Sequence, residues 1–255
     1  MDFIRDFFSS KDVNKYPPCG LFSLSHIISL IICIVIIGLF VYLNRKKSKE
    51  QIIKSTRVMA IIVTSLEFVK IFHSFYYGYT YLDSWFPLAY CSFLIYCLYF
   101  VGYGKGNLQK CGLVFLSGPA FIAGLGFLIF PTTSLADYPI FHYLCFYSLF
   151  FHSVMVYYAI MIYRTKAIDY KLTNTKYYLF LLYCFSIVAI AMDYIFECNM
   201  MFYYNPYNFP FQFVIDIYNI SRILYTCVIL LAYSMMYFIV LLIVATINRF
   251  RGGKY

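Results

Sequence analysis

The sequence predicts an all-α polytopic membrane protein, a single seven-span transmembrane helix bundle over residues 1–255, with its N-terminus outside and its C-terminus cytoplasmic. Three observations predict this. The chain is 63% hydrophobic and only 12% Asp, Glu, Lys or Arg, whereas a soluble domain carries about a quarter charged residues. Mean hydropathy is +0.74, and the apolar residues gather in blocks near the roughly 20-residue length that crosses a bilayer. The basic residues, which give a net charge of +9, sit in alternate connections between those blocks.

Seven apolar blocks run at 22–43, 58–77, 86–103, 111–130, 140–162, 177–197 and 213–247. Backbone in hydrocarbon must satisfy its own hydrogen bonds, so each block reads as helix. The first is not a cleaved leader, because it starts late, follows a stretch that is not net positive and lacks a small-residue cleavage site. NRKKSKEQIIKSTR follows it and stops translocation. The last block is long enough to pass beyond the bilayer or to contain a break.

Loop charge sets the orientation. Arg45, Lys46, Lys47, Lys49, Lys54 and Arg57 lie between blocks one and two, against Glu50. Lys105 and Lys110 lie between three and four, and Arg164, Lys166, Lys171 and Lys176 between five and six, against Asp169. Arg249, Arg251 and Lys254 close the chain, while the alternate connections carry Asp83 and Asp137 and no lysine or arginine. With this placement the basic charge belongs to topology and anionic lipid rather than nucleic acid. The nine cysteines are odd in number and mostly lie in apolar blocks. They read as small buried hydrophobes, not a disulfide framework.

Ionisable residues inside spans are costly and normally face the bundle interior or water. In span two, Glu67, Lys70, Ser74 and Tyr77 share a helical face, with His73 at its edge. Span five carries Cys145, Ser148 and His152, with His142 near its outer end. Span six ends with Asp193 and Glu197. Span seven carries Asp216, Asn219 and Arg222 at three-residue spacing. Span one has Ser25 and His26, and span three has Cys91 one turn beyond WFP. All of these fall at mid-membrane or in the outer half, which predicts one polar cavity open outward.

Each residue also has a plainer reading. Glu67 with Lys70 can be a structural ion pair, and His26, His73 and His142 can meet headgroups. Asp216 and Arg222 can anchor a helix, and Asp193 and Glu197 can be supporting or headgroup-facing groups. Read as a site, His152 takes a proton from a hydroxyl, thiol or water, and Arg222 or Lys70 holds a phosphate or carboxylate. That chemistry favours action on, or binding of, membrane phospholipids. No HExxH, aspartate-rich or Walker motif is present, so neither a metal nor a cofactor is expected. The connection NMMFYYNPYNFPF, with Asn199, Asn205, Pro206, Asn208 and Pro210, reads as an interfacial loop or as a lid over the cavity.

Four stretches carry a resemblance: SLSHIISLI at 23–31, WFPLAYCSF at 85–93, SGPAFIAGLGFLIFP at 117–131 with FHYLCFYSLFFHS at 141–153, and DYIFECNMMFYYNP at 193–206. In this order, within seven spans, the chain resembles the YwaF-like family of integral membrane proteins, which is similar to eukaryotic seven-span membrane phospholipid acyltransferases. The resemblance implies acyl transfer between glycerophospholipids by a cysteine and a histidine. Carried over, His152 is the histidine, and Cys91 in FPLAYC is the cysteine. The family pattern Pro-Leu-His-Leu-Cys meets Ala89 here in place of its histidine. The expected function is thus a phospholipid acyltransferase or transacylase of the cell membrane, with His152 as base and Cys91 or a substrate hydroxyl as nucleophile. The alternatives are a substrate-binding or transport protein using the same cavity, and a non-catalytic receptor or structural protein.

Overall fold

The computed structural model describes residues 2–10, 12, 15–207 and 211–250. Among them all regular structure is helical. Seven segments are long and apolar enough to cross a membrane: Leu24–Leu43, Lys49–Tyr76, Leu82–Tyr103, Gly106–Asp137, Tyr143–Arg164, Leu172–Phe196 and Arg222–Phe250. The seven-span expectation therefore holds. Of the loop and tail residues singled out in the sequence, Asn208, Pro210, Arg251 and Lys254 lie outside the described residues.

A short helix α1 (Asp2–Phe7) precedes the first span, α2 (Leu24–Leu43). Ser23 caps α2 by accepting the His26 backbone N–H at 3.1 Å. The second span, α3 (Lys49–Tyr76), opens on a capping box between Ser48 and Gln51, so it begins nine residues before the apolar block. The pairing of Ser with Gln three residues on satisfies two N–H groups that a helix start leaves open.

The third and fourth spans, which the sequence reads as helices throughout, are each interrupted. In the third, α4 (Leu82–Trp85) ends before Pro87, a 3-10 turn covers Tyr90–Ser92, and α5 (Phe93–Tyr103) completes the crossing. Proline removes an N–H and biases the residue before it away from helix. The carbonyl freed at Pro87 accepts the Tyr96 hydroxyl at 3.0 Å. In the fourth, α6 (Gly106–Ser117) and α7 (Pro119–Ile129) meet at Gly118. A Cβ there would overlap the Val240 side chain, so glycine admits the close approach of the last span. The Ser117 carbonyl, left open by the break, accepts the Tyr170 hydroxyl at 2.9 Å. Tyrosine hydroxyls thus supply at both breaks what water cannot supply in a bilayer.

After α8 (Ser134–Asp137) comes α9 (Tyr143–Arg164), which packs against α2, α3, α6 and α7. The sixth span is α10 (Thr175–Phe196), ended by Glu197 in the left-handed conformation, φ 53°. The last block does contain a break: α11 (Gln212–Ile220) stops at Ser221 and α12 (Arg222–Phe250) starts afresh. Asp216 and Asn219 are therefore on a different helix from Arg222, and their three-residue spacing defines no common face with it. The buried core runs along α5, α6 and α9, while α2 turns Ile27, Ile28, Ile31 and Ile34 outward, as a lipid-facing helix does.

Candidate functional site

The described contacts of the polar residues in the spans are mostly local. They fall into groups, several sealed by aromatic side chains.

The first group surrounds Glu67. The polar face of α3 predicted from spacing is the buried one: Glu67, His73 and Ser74 are each 4% exposed. Lys70 pairs with Glu67 at 2.9 Å, and the Tyr147 hydroxyl on α9 donates to the second carboxylate oxygen. One turn away, the Tyr143 hydroxyl donates to the Leu66 carbonyl at 2.6 Å. A buried carboxylate is tolerated only when paired and hydrogen-bonded, and these contacts supply both conditions. Cys91 packs against the same core as the first residue pair of the 3-10 turn leading α5.

The second group is capped by the N-terminal segment. His142 accepts the Leu144 backbone N–H on Nδ1 at 3.1 Å. Its proton is therefore on Nε2, which donates to the Ser9 carbonyl at 2.8 Å. His73 reaches the same carbonyl at 3.3 Å, and the two imidazoles lie 5.4 Å apart. Phe8 stacks on Tyr143 at 5.2 Å. The segment before the first span thus covers the tyrosine side of the Glu67 group.

His26, like His142, engages both ring nitrogens, whereas Nδ1 of His73 is buried with no hydrogen-bond partner among the described residues. Nδ1 of His26 accepts the Phe22 N–H at 3.0 Å, and Nε2 faces the Leu128 carbonyl at 2.9 Å. His26 ties α2 to the end of α7.

His152 is held differently. Nδ1 lies 2.7 Å from the Ser148 carbonyl, one turn back on α9. A carbonyl only accepts, so Nδ1 carries the proton and Nε2 keeps its lone pair. That Nε2 is buried and has no hydrogen-bond partner among the described residues. The ring is fixed by Phe127, stacked at 3.8 Å and 9° from parallel. Gly124 allows α7 so close: a Cβ there would lie 2.8 Å from the His152 carbonyl oxygen. None of the described hydrogen bonds or ring contacts joins His152 to Cys91 or to Glu67. Tyr147 and His152 are five residues apart on α9, which turns them to different faces of that helix.

Asp193, fully buried, anchors the loop after α10. One carboxylate oxygen accepts the Met200 N–H at 2.8 Å and the Cys198 thiol at 3.3 Å. Burial, with that carboxylate beside it, pushes the Cys198 thiol up to about 12, so it remains a donor. Asn199 ties the loop further, its side-chain oxygen accepting the N–H groups of Tyr204 and Asn205. The loop is packed into the bundle through Met200, Met201 and Tyr203. Cys145 is likewise engaged, with its thiol facing the Ser134 and Tyr138 carbonyls.

Glu197, Asp216, Asn219 and Arg222 are exposed. Asp216 accepts from Gln212 at 3.0 Å, and the Arg222 guanidinium lies 4.4 Å over the Tyr204 ring. They lie at the surface of the bundle.

Sequence reasoning missed Tyr143 and Tyr147, the partners of the Glu67 group, and Phe127, the platform for His152. The tyrosines stand four apart on one helical face. Among 29 tyrosines, that spacing carries little signal.

Comparison with known proteins adds one finding: the sequence profile of the TMEM164 family matches residues 21–247. No curated protein and no solved structure matches the chain.

Proposed function

The chain belongs to the TMEM164 family, and on that premise we propose that this multi-pass membrane protein is an enzyme that moves an acyl chain between glycerophospholipids, with His152 as its base. One arrangement carries the reading: His152 spends its Nδ1 proton on the Ser148 carbonyl of its own helix, keeps Nε2 buried and unpartnered, and is fixed by the Phe127 stack, while His73, whose Nδ1 is also unpartnered, ties α3 to the N-terminal segment at Ser9. A neutral imidazole with one fixed N–H and one free lone pair is the form that general-base catalysis uses. An unsatisfied buried polar atom costs about 1–3 kcal/mol, a cost expected where the atom serves a reaction.

The step is balanced. The acceptor lipid hydroxyl gives its proton to His152 Nε2 as its oxygen attacks the donor's ester carbonyl. The tetrahedral adduct then expels the donor oxygen, which takes the proton back. One ester bond breaks and one forms, with no redox change. This direct route needs His152 alone. A route through a thioester on Cys91, as the resemblance implies, requires the Cys91 thiol to reach the same lipid. The direct route is the simpler of the two, because it asks nothing of Cys91. The loop charges support an N-terminus outside and a C-terminus in the cytoplasm.

A second reading is substrate binding or transport through the Glu67, Lys70 and Tyr147 group, favoured by a carboxylate kept inside the bundle. Incubating the purified chain with lysophospholipid and labelled phospholipid separates the two. The enzyme reading expects His152→Gln to lower transfer by at least about 100-fold with lipid binding and thermal stability retained, and Cys91→Ser to keep most activity. An acyl adduct on Cys91 moves the mechanism to the thioester route. No transfer by folded wild-type protein across several phospholipid classes leaves the binding reading.

A further inference from the structure

At the opposite end of the bundle from the N-terminal segment, three connections that are far apart in sequence close around a cleft of about 470 Å³. We propose that this cleft is a binding site for a phosphoryl group, carried on an anionic membrane lipid or on a soluble phosphate ester. The site is separate from His152 and Glu67 and does not depend on acyl transfer.

The charge of the cleft is one-sided. Lys49, Lys110, Lys166 and Lys171 line it, with Asp169 as the one acidic residue of the lining. Asp169 is already paired with Lys171 at 2.9 Å, and Lys171 holds its carboxyl below the usual range. Beside that pair, Lys49 and Lys110 give the cleft its cationic excess. Cations gathered in a concavity repel one another, and an anion relieves the repulsion.

The floor is apolar, made by Ile53, Leu113 and Ala167, with Leu113 and Ala167 buried. A cationic rim over an apolar floor suits a phosphate that carries a glycerol backbone better than it suits a bare ion. The volume lies within the roughly 300–1,000 Å³ of small-molecule sites. Lysine ammonium groups supply several donors each to phosphate oxygens.

Helix direction reinforces the side chains. α3 begins at Lys49 and α6 at Gly106, and Asn174 ends the turn that leads into α10. Three helix starts thus turn the positive ends of their dipoles toward one cleft; the Ser48–Gln51 capping box already serves α3 and the 3-10 turn Leu172–Asn174 leads into α10, so α6 is the start that offers open N–H groups. The first turn of α6 has no side-chain cap. Gly106 stands there at φ 58°, a left-handed conformation that glycine adopts without strain.

The test is native mass spectrometry of the full chain in neutral detergent, titrated with phosphatidylglycerol or phosphatidylcholine. Binding of phosphatidylglycerol over phosphatidylcholine is expected. Lys110→Gln with Lys166→Gln should weaken it by about fivefold per lysine, or about 25-fold together. A control pair, Lys46→Gln with Lys47→Gln, neutralises two lysines of the same end that are outside the cleft, and should change binding no more than about twofold. Competition by glycerol 3-phosphate identifies a soluble phosphate ester as the ligand, and its failure to compete identifies the lipid. Equal losses in the cleft and control pairs, or no preference for phosphatidylglycerol, overturn the proposal. All four lysines are exposed, so these variants keep the buried core. Binding is read without turnover, so a result here is independent of any result on His152.

Discussion

Glu67 and Lys70 form an ion pair of unequal burial, and the inequality predicts which partner suffers more when the other is removed. The side chains are 5% and 22% exposed. In Lys70→Met, the buried carboxylate keeps one donor, Tyr147, and loses its counter-charge. Breaking a buried pair from one side costs about 3–5 kcal/mol. The surviving Tyr147 bond puts this case near the lower figure, about 3 kcal/mol. In Glu67→Gln, the new amide oxygen still accepts from Tyr147. The freed ammonium, on a flexible stem and already partly exposed, can turn toward the headgroups, so the expected cost is about 1 kcal/mol. The double variant leaves neither charge and should cost about 2 kcal/mol, giving a coupling near 2 kcal/mol. Denaturant unfolding of the full chain in bicelles measures all three. Trp85, the one tryptophan of the chain, supplies the fluorescence signal. A Glu67→Gln cost equal to that of Lys70→Met refutes the reasoning, as does additivity within about 0.5 kcal/mol.

Two further perturbations follow from the packing. Gly118→Leu places a side chain where Val240 already lies, so unfolding free energy should fall by about 1–3 kcal/mol, with partial recovery in Gly118→Leu/Val240→Ala. His142→Ala removes both the α9 cap and the bond to Ser9, so hydrogen exchange by residues 4–9 should rise clearly above that of α9's interior, and no change would argue against the imidazole as their anchor.

The spans were legible because hydrophobic length and loop charge are one-dimensional signals. Breaks inside spans were only half legible. Pro87 and the Gly118–Pro119 pair are visible in the sequence, yet the apolar run continues through both. What serves the carbonyls left open is a hydroxyl, that of Tyr96 in the same span for one break and that of Tyr170 from a distant connection for the other. The burial of Glu67 was legible from its helical face. How the polar residues group was not legible, because a common depth in the membrane does not give a common direction. His152 and Tyr147 lie on one helix and serve different neighbours. Asp216 and Arg222 show a related limit: spacing defines a face only while the helix continues, and Ser221 ends it. The basic cleft had its lysines in plain view. Their convergence depends on three loops meeting, which no single segment records.

The histidines separate structural from chemical roles most sharply, because both ring nitrogens can be accounted for. His26 uses both, tying α2 to α7 through Phe22 and Leu128. His152 uses one, within its own helix, and leaves the other buried without a partner. Replacement by phenylalanine, close in volume, should therefore act in opposite ways. In His26→Phe, the Phe22 N–H and the Leu128 carbonyl lose their partner, for a loss of about 2–4 kcal/mol at about 1–2 kcal/mol for each group left open. In His152→Phe, the Ser148 carbonyl keeps its place in the helical ladder, the stack on Phe127 survives, and an orphaned nitrogen disappears. Stability should be unchanged within about 1 kcal/mol, or should rise, while acyl transfer is lost. A functional group held at a cost to stability shows that trade-off when it is removed. Thermal unfolding of the two variants beside the transfer assay reads both halves. If His152→Phe unfolds as readily as His26→Phe, the imidazole is a structural pin like His26, and the base must be sought elsewhere, first at His73, whose Nδ1 is also buried and unpartnered.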